Sequence, residues 1–182
     1  MKTYLALLRG VNVSGKNIIK MEDLRKAMAE AGFDNVKTYI QSGNIVFTSA
    51  DRKEDAALKL SELIENRYGF KVEVFILEKH DLDLAIENNP YTGPDPEPAG
   101  TKKIYVTFLS QKPEAENYKK LEETPKGGDE ISLHTNVLYF KLAQSAADSK
   151  LSNSLIELKL KVKATTRNWN TTLKLSEMMK AS

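Results

Sequence analysis

The chain contains no cysteine, which removes disulfides, thiolate metal sites and cysteine nucleophiles together and fits a reducing, cytoplasmic-type compartment. Its only two histidines, His80 and His134, lie far apart and lack ligand spacing, which argues against a histidine triad or a zinc centre. No paired-carboxylate motif stands out, and Asp81/Asp83 and Glu122/Glu123 read as solvated surface. Neither a metal nor a cofactor is therefore expected. No apolar run approaches the ~20 residues needed to span a bilayer, so no membrane partner is expected. The opening stretch Tyr4–Leu8 is too short for a signal-peptide core and ends at Arg9. Strong net charge is also missing: 182 residues carry a net +2, which excludes a strong global pull toward nucleic acid.

The positive charge that is present is segregated. Residues 9–20 hold Arg9, Lys16 and Lys20 without an acid, and residues 158–176 hold Lys159, Lys161, Lys163, Arg167 and Lys174 without one. These two windows exceed the net charge, so the remainder of the chain is net acidic. With 41% hydrophobic and 29% charged residues the composition is that of an ordinary globular protein.

Apolar spacing predicts the elements. Thr3–Arg9 reads as a strand, and Met21–Ala31 as a helix through Leu24, Ala27 and Met28, stopped by Gly32. Val36–Gln41 and Asn44–Thr48 read as strands about a tight turn at Ser42-Gly43. A helix capped by Ser49 or Asp51 follows, with Ala56, Leu60, Leu63 and Ile64 on its face and Gly69 at its end; Phe70–Leu77 then alternates as a strand. Glu78–Asn88 reads as a helix, and residues 88–100 (NNPYTGPDPEPAG) as a linker or long loop. The pattern then recurs. Lys103–Leu109 is a strand, Pro113–Glu123 a helix, and Glu130–His134 and Val137–Lys141 a hairpin around Thr135-Asn136. Asp148–Leu158 is read as a helix with Leu151, Leu155 and Leu158 on one face, Leu158–Lys163 as the last strand, and Thr165 or Thr166 as the cap of a helix running toward Met179.

The order β-α-β-β-α-β, twice, predicts an α+β fold of two tandem ferredoxin-like units with an extra C-terminal helix. The expected division is residues 1–78, a helix and linker at 79–101, and residues 102–182. The first strand of each half is apolar on both sides, which calls for cover on both faces of each sheet.

Three segments carry candidate chemistry. Arg9–Asn17 (RGVNVSGKN) contains the spacing G-x-x-x-x-G-K after a strand. Asn17 replaces the hydroxyl that a Walker A loop gives to Mg²⁺, and no Walker B aspartate follows, so the better functional reading is a generic anion loop. Arg9 and Lys16 would supply charge, Asn12 and Asn17 hydrogen bonds; a solvated β-to-α connection would look the same. Thr165–Thr171 (TTRNWNT) offers a capped helix start with Arg167 and Asn168 for an anion, and Trp169 either for stacking on a ring or for the core. In Thr38–Asn44 (TYIQSGN), Tyr39 and Gln41 would share a strand face and line a pocket, although the segment is foremost a hairpin turn. The strand NIVFTS lacks the basic-aromatic run of an RNA-recognition sheet.

Together RGVNVSGKN, MEDLR at 21–25, TYIQSGNIVF at 38–47 and TTRNWNT resemble the bacterial domain-of-unknown-function family 1697 along the whole chain. The resemblance implies a two-part ferredoxin-like fold and a cytoplasmic bacterial protein, and it implies no activity and no catalytic residue. Three functional expectations follow. The first is binding of an anionic small molecule or nucleic acid through the two basic segments. The second is an enzyme acting on a phosphorylated or carboxylated small molecule, with Lys16 or Tyr39 near the chemistry. The third is an interaction or assembly module, monomer or homodimer, that uses the doubly apolar strands.

Overall fold

The computed structural model describes all 182 residues. The chain divides into two compact units, Met1–Asp83 with Lys174–Ser182, and Leu84–Leu173.

In the first unit β1 (Lys2–Leu8), α1 (Met21–Glu30), β2 (Asp34–Tyr39), β3 (Asn44–Ser49), α2 (Lys53–Tyr68) and β4 (Val74–Glu78) form an antiparallel sheet of order β2-β3-β1-β4. That is the ferredoxin-like arrangement, with the first strand central between the third and fourth. Leu5 pairs with Val46 on one side and Leu77 on the other. Alternation divides the side chains of β1: Tyr4, Ala6 and Leu8 join Ile45 and Phe47 in the core beneath Leu24 and Met28 of α1 and Leu60 and Ile64 of α2. Leu5, Leu7 and Val46, of opposite parity, are also fully buried. Gly69 ends α2 in the left-handed conformation, its amide bonded to the Glu65 carbonyl. Helices α1 and α2 are tied by Arg67, which grips the Asp23 carboxylate with two nitrogens while the Tyr68 hydroxyl donates a third bond to it.

In the second unit β5 (Ile104–Leu109), α4 (Ala115–Glu123), β6 (Glu130–His134), β7 (Val137–Lys141), α5 (Asn153–Leu160) and β8 (Ala164–Asn168) repeat the topology in the order β6-β7-β5-β8. Leu109, Leu138 and Phe140 pack with Leu121 of α4 and Ile156 and Leu160 of α5. Val106, Phe108 and Tyr139, on the other face, are buried too. The doubly apolar strands are thus closed to solvent on both faces in each unit. The chain also forms α3 (Lys79–Glu87) before the Pro/Gly-rich stretch and α6 (Trp169–Lys180) at the C-terminus. No helix is long and apolar enough to cross a membrane.

Some boundaries differ from the expectation. The last strand is Ala164–Asn168, not 158–163. Residues 158–160 close α5 instead, which ends when Lys161 adopts φ 56° with no glycine to announce it. Leu158 is consequently 71% exposed, while Ile156 and Leu160 carry the buried face. Neither Thr165 nor Thr166 caps α6; Asn168 does, accepting the Thr171 amide at 2.8 Å. Neither Ser49 nor Asp51 caps α2, because the N-cap position is Arg52 and Ser49 accepts the Asp51 amide. The first hairpin turns through Ile40–Gly43, so Gln41 lies in the turn and shares no strand face with Tyr39.

Candidate functional site: a pinned glycine loop and its neighbouring turn

In the first unit the chain leaves β1 at Leu8 and reaches α1 only at Met21. Between them Gly10, Asn12, Ser14, Gly15 and Asn17 all have positive φ, a conformation suited to glycine and to short polar residues. Val13 and Lys16 form an isolated bridge, with the Lys16 amide donating to the Val13 carbonyl at 2.9 Å. Ser14 and Gly15, at φ 50° and 72°, make the primed turn that closes it. The G-x-x-x-x-G-K spacing therefore builds a small hairpin rather than a phosphate-wrapping loop, and Lys16 stands at its exposed tip well before the helix.

Asparagine side chains hold this hairpin. The Asn12 carboxamide donates to the carbonyls of Ile19 at 2.9 Å and Gln41 at 2.6 Å, and accepts from the Ile19 amide at 2.8 Å. Asn17 donates to the Gly10 carbonyl at 3.2 Å. Val11 and Ile19, both buried in the core, anchor the two ends. Arg9 sits at the base, half-buried, with its amide bonded to the Glu73 carbonyl at 3.0 Å. The polar atoms of Asn12 and Asn17 thus maintain the loop, and Lys16 and Lys20 are its exposed cations.

The turn Ile40–Gly43 meets this loop directly. The Leu8 amide donates to the Gly43 carbonyl at 2.9 Å, and buried Asn44 ties the turn together through the Tyr39 carbonyl at 3.1 Å and the Ser42 hydroxyl at 2.8 Å. Tyr39 is half-buried and Gln41 exposed. Gly43 has φ +80°, and a Cβ there would stand 2.7 Å from the Leu8 Cβ and 2.8 Å from Val11 Cγ2. Only glycine meets both conditions. Ile40 is the feature that sequence reasoning missed. It is β-branched, lies at φ 51° and is 50% exposed, where glycine or asparagine would be strain-free. Val13 and Ile18, each 56% exposed, belong to the adjoining loop. Asn12 joins the residues that follow Ile18 and Ile40, so a single carboxamide links the two exposed segments.

The structure therefore brings Arg9, Asn12, Lys16, Asn17, Tyr39 and Gln41 into one loop cluster. The remaining candidates belong to the second unit. Arg167 lies on β8 opposite Val106 and is 8% exposed. Its guanidinium donates to the Thr165 hydroxyl and the Thr166 carbonyl, each at 2.9 Å. Burial pushes its pKa down to about 10, which leaves it charged at neutral pH. Asn168 is the cap of α6. Trp169 is fully buried, and its indole donates to the Asp95 carbonyl at 2.7 Å. Asn170 binds the backbone of Glu97 from both sides, accepting its amide at 3.0 Å and donating to its carbonyl at 3.3 Å. Much of the TTRNWNT segment thereby fastens the Pro/Gly-rich stretch to the start of α6.

The paired β-α-β-β-α-β sheets define a tandem ferredoxin-like α+β protein, with this hydrogen-bonded loop cluster exposed on its first unit. The chain belongs to the family described as Protein of unknown function (DUF1697), whose model matches residues 1–139. It is similar to the solved structure of the conserved bacterial protein SP0830 from Streptococcus pneumoniae, with a TM-score of 0.77 and 26% identity over 99% of each chain. No curated protein matches the chain.

Proposed function

We propose that the chain binds an anionic, phosphate-bearing ligand, a nucleotide or a nucleic-acid backbone, at the loop cluster of its first unit. Lys16 and Lys20 contact phosphate, and Asn12 and Asn17 keep the loop in its binding conformation, so little ordering cost falls on association. The exposed side chains of Val13, Ile18 and Ile40 offer an apolar seat to a base or sugar. This favours an amphipathic anion over inorganic phosphate. The observation that carries the reading is Ile40: a half-exposed isoleucine held at positive φ, a strain of about 1–3 kcal/mol, beside a basic loop with two further exposed apolar side chains. Arg167, Asn168 and Trp169 serve the fold of their own unit, and the proposal does not draw on them.

Titration with a panel of nucleotides and short oligonucleotides at low salt tests the reading. Binding should weaken steeply as salt rises, and Lys16→Ala should lower affinity and reduce the slope of log K against log[salt] by about 1. No binding at low salt, or binding indifferent to Lys16→Ala, overturns it. Loss of an interaction in Ile40→Ala with no salt dependence would point instead to a protein-contact module.

A further inference from the structure

The second unit holds a partly open pocket of about 150 Å³ between its sheet and the chain leading into α5. One wall is aromatic. Tyr105 and Phe140 are opposite each other in the β5–β7 register, and their rings stack within 8° of parallel at 5.0 Å. Leu142 and Leu151 add apolar surface, and no charged side chain lines the space.

The polar end is a directed chain of hydrogen bonds. Thr107 is fully buried and finds one partner, the Thr166 hydroxyl, at 2.7 Å. Thr166 in turn gives its proton to Asn153 Oδ1 at 2.7 Å. A hydroxyl has one proton, so Thr107 donates, Thr166 relays and Asn153 Oδ1 accepts. With Oδ1 accepting from Thr166, Asn153 Nδ2 and its two N–H groups have no partner in the chain. The Tyr105 hydroxyl is likewise unbonded. Burial, and then the Glu97 carboxylate, raise that phenol above its ordinary value and keep it protonated.

We infer that this pocket binds a small, neutral, planar ring with a hydrogen-bond acceptor on its edge, such as a pyrimidine or pyridone, stacked on the Tyr105–Phe140 pair and held by Asn153 Nδ2. The volume matches one ring, since an apolar cavity of roughly this size accommodates benzene. The absence of lining charge disfavours an ion, whose desolvation nothing in the pocket would offset. The parallel rings provide a flat stacking platform. The inference is independent of the anion site: it concerns the other unit and a neutral ligand.

The test is a ¹H–¹⁵N NMR titration of the full chain with uracil and 2-pyridone, using toluene as an apolar control. The acceptor-bearing rings should shift the Asn153 side-chain amide and the backbone of Ala146 and Ser149 saturably, with a Kd on the order of 0.1–1 mM. Asn153→Asp keeps the acceptor for Thr166 and removes the donor. It should weaken 2-pyridone about tenfold and change the response to toluene less than twofold. Ala146→Leu fills the pocket and should abolish all binding while the remaining amide spectrum stays in place. Absence of saturable shifts up to 5 mM (about fivefold above the weakest expected Kd), or undiminished binding in Ala146→Leu, overturns the site. Undiminished 2-pyridone binding in Asn153→Asp overturns the assigned recognition.

Discussion

Replacing Gly43 by alanine tests the junction between the glycine loop and the first hairpin. Two separate effects oppose the added methyl. At φ +80° an alanine sits in the left-handed region, which costs roughly 1–2 kcal/mol. The new Cβ also stands 2.7 Å from the Leu8 Cβ and 2.8 Å from Val11 Cγ2. Both neighbours are buried in the core cluster, so neither can swing away. Relief requires the backbone to move, and because the Gly43 carbonyl accepts the Leu8 amide, that movement is transmitted to the end of β1. Overpacking of this kind costs about 1–3 kcal/mol, against which the stiffer unfolded chain returns roughly 0.4–1 kcal/mol. The expected net loss is about 2–4 kcal/mol, a large share of the ~5–15 kcal/mol that stabilises a typical domain. Gly15→Ala is the control. It has nearly the same φ, +72°, but no atom within 4 Å of the added Cβ, so only the conformational part, about 1 kcal/mol, should be lost. Urea denaturation followed by far-UV circular dichroism measures both variants, and amide exchange at Leu8 localises the effect. If Gly43→Ala were no more destabilising than Gly15→Ala, the steric argument would be wrong.

Ile40→Asn should raise stability by about 1 kcal/mol, because asparagine tolerates the left-handed region better than a β-branched residue, and by the proposed function it should weaken nucleotide binding in the same titration. Tyr139→Phe should cost about 1–3 kcal/mol in chemical denaturation. The Tyr139 hydroxyl donates to the Ala85 carbonyl at 2.5 Å, and the Asn89 amide, the next helical donor, goes to Ile86 instead, so the buried carbonyl is left without a donor. Hydrogen bonds from Arg67 and then Tyr68 hold the Asp23 carboxyl well below the usual carboxylate range. A depressed folded-state pKa contributes stability that is present above the unfolded value of about 4 and is lost as pH falls through the folded one. Asp23→Asn should therefore melt below wild type at neutral pH, and the gap should narrow progressively as pH falls below about 4. Parallel melting curves at pH 7 and pH 2 check this. On the alkaline side Tyr68, pushed up to about 12 by burial and then by Asp23, contributes stability that is present below about pH 10 and lost between there and about 12.

The elements legible in the sequence are those whose signals are local. Thr135-Asn136 between two apolar runs specifies the β6–β7 hairpin to the residue, with Thr135 at φ 50°. Gly32 and Gly69 end α1 and α2 as helix-stopping glycines should. The last strand was not legible for a physical reason. Residues 158–163 alternate apolar and basic, which fits a strand, yet the same Leu160 also completes the i, i+4 face begun at Ile156. The helix wins because Ile156 and Leu160 bury in the core, and the turn at Lys161 uses a residue type without a turn signature. Ala164–Asn168 (ATTRN) meanwhile shows no clear alternation, since Arg167 occupies a buried position among threonines. In the loop cluster the residue types were legible but their roles were not. Asn12 and Asn17 were candidates for ligand contact from their side-chain chemistry, and in the fold that chemistry holds backbone carbonyls.

Ile40 separates the cluster from an ordinary loop. Most of the unusual backbone positions near it are filled by residues that adopt positive φ at low cost: glycine at 10, 15 and 43, asparagine at 12 and 17, serine at 14. Gly43 is further required by the close approach of Leu8 and Val11. Around this loop, favourable residue types stand at the other positive-φ positions, and Ile40 is the exception, an exposed apolar side chain beside Lys16's loop. A turn requirement does not explain isoleucine there, and core packing does not either, because half of the side chain is in water. A requirement for apolar surface next to a basic loop explains both the residue type and its exposure, and it accounts for Val13 and Ile18 with the same argument. The proposed ligand is accordingly an amphipathic anion, with phosphate at the lysines and a ring or sugar at the isoleucine.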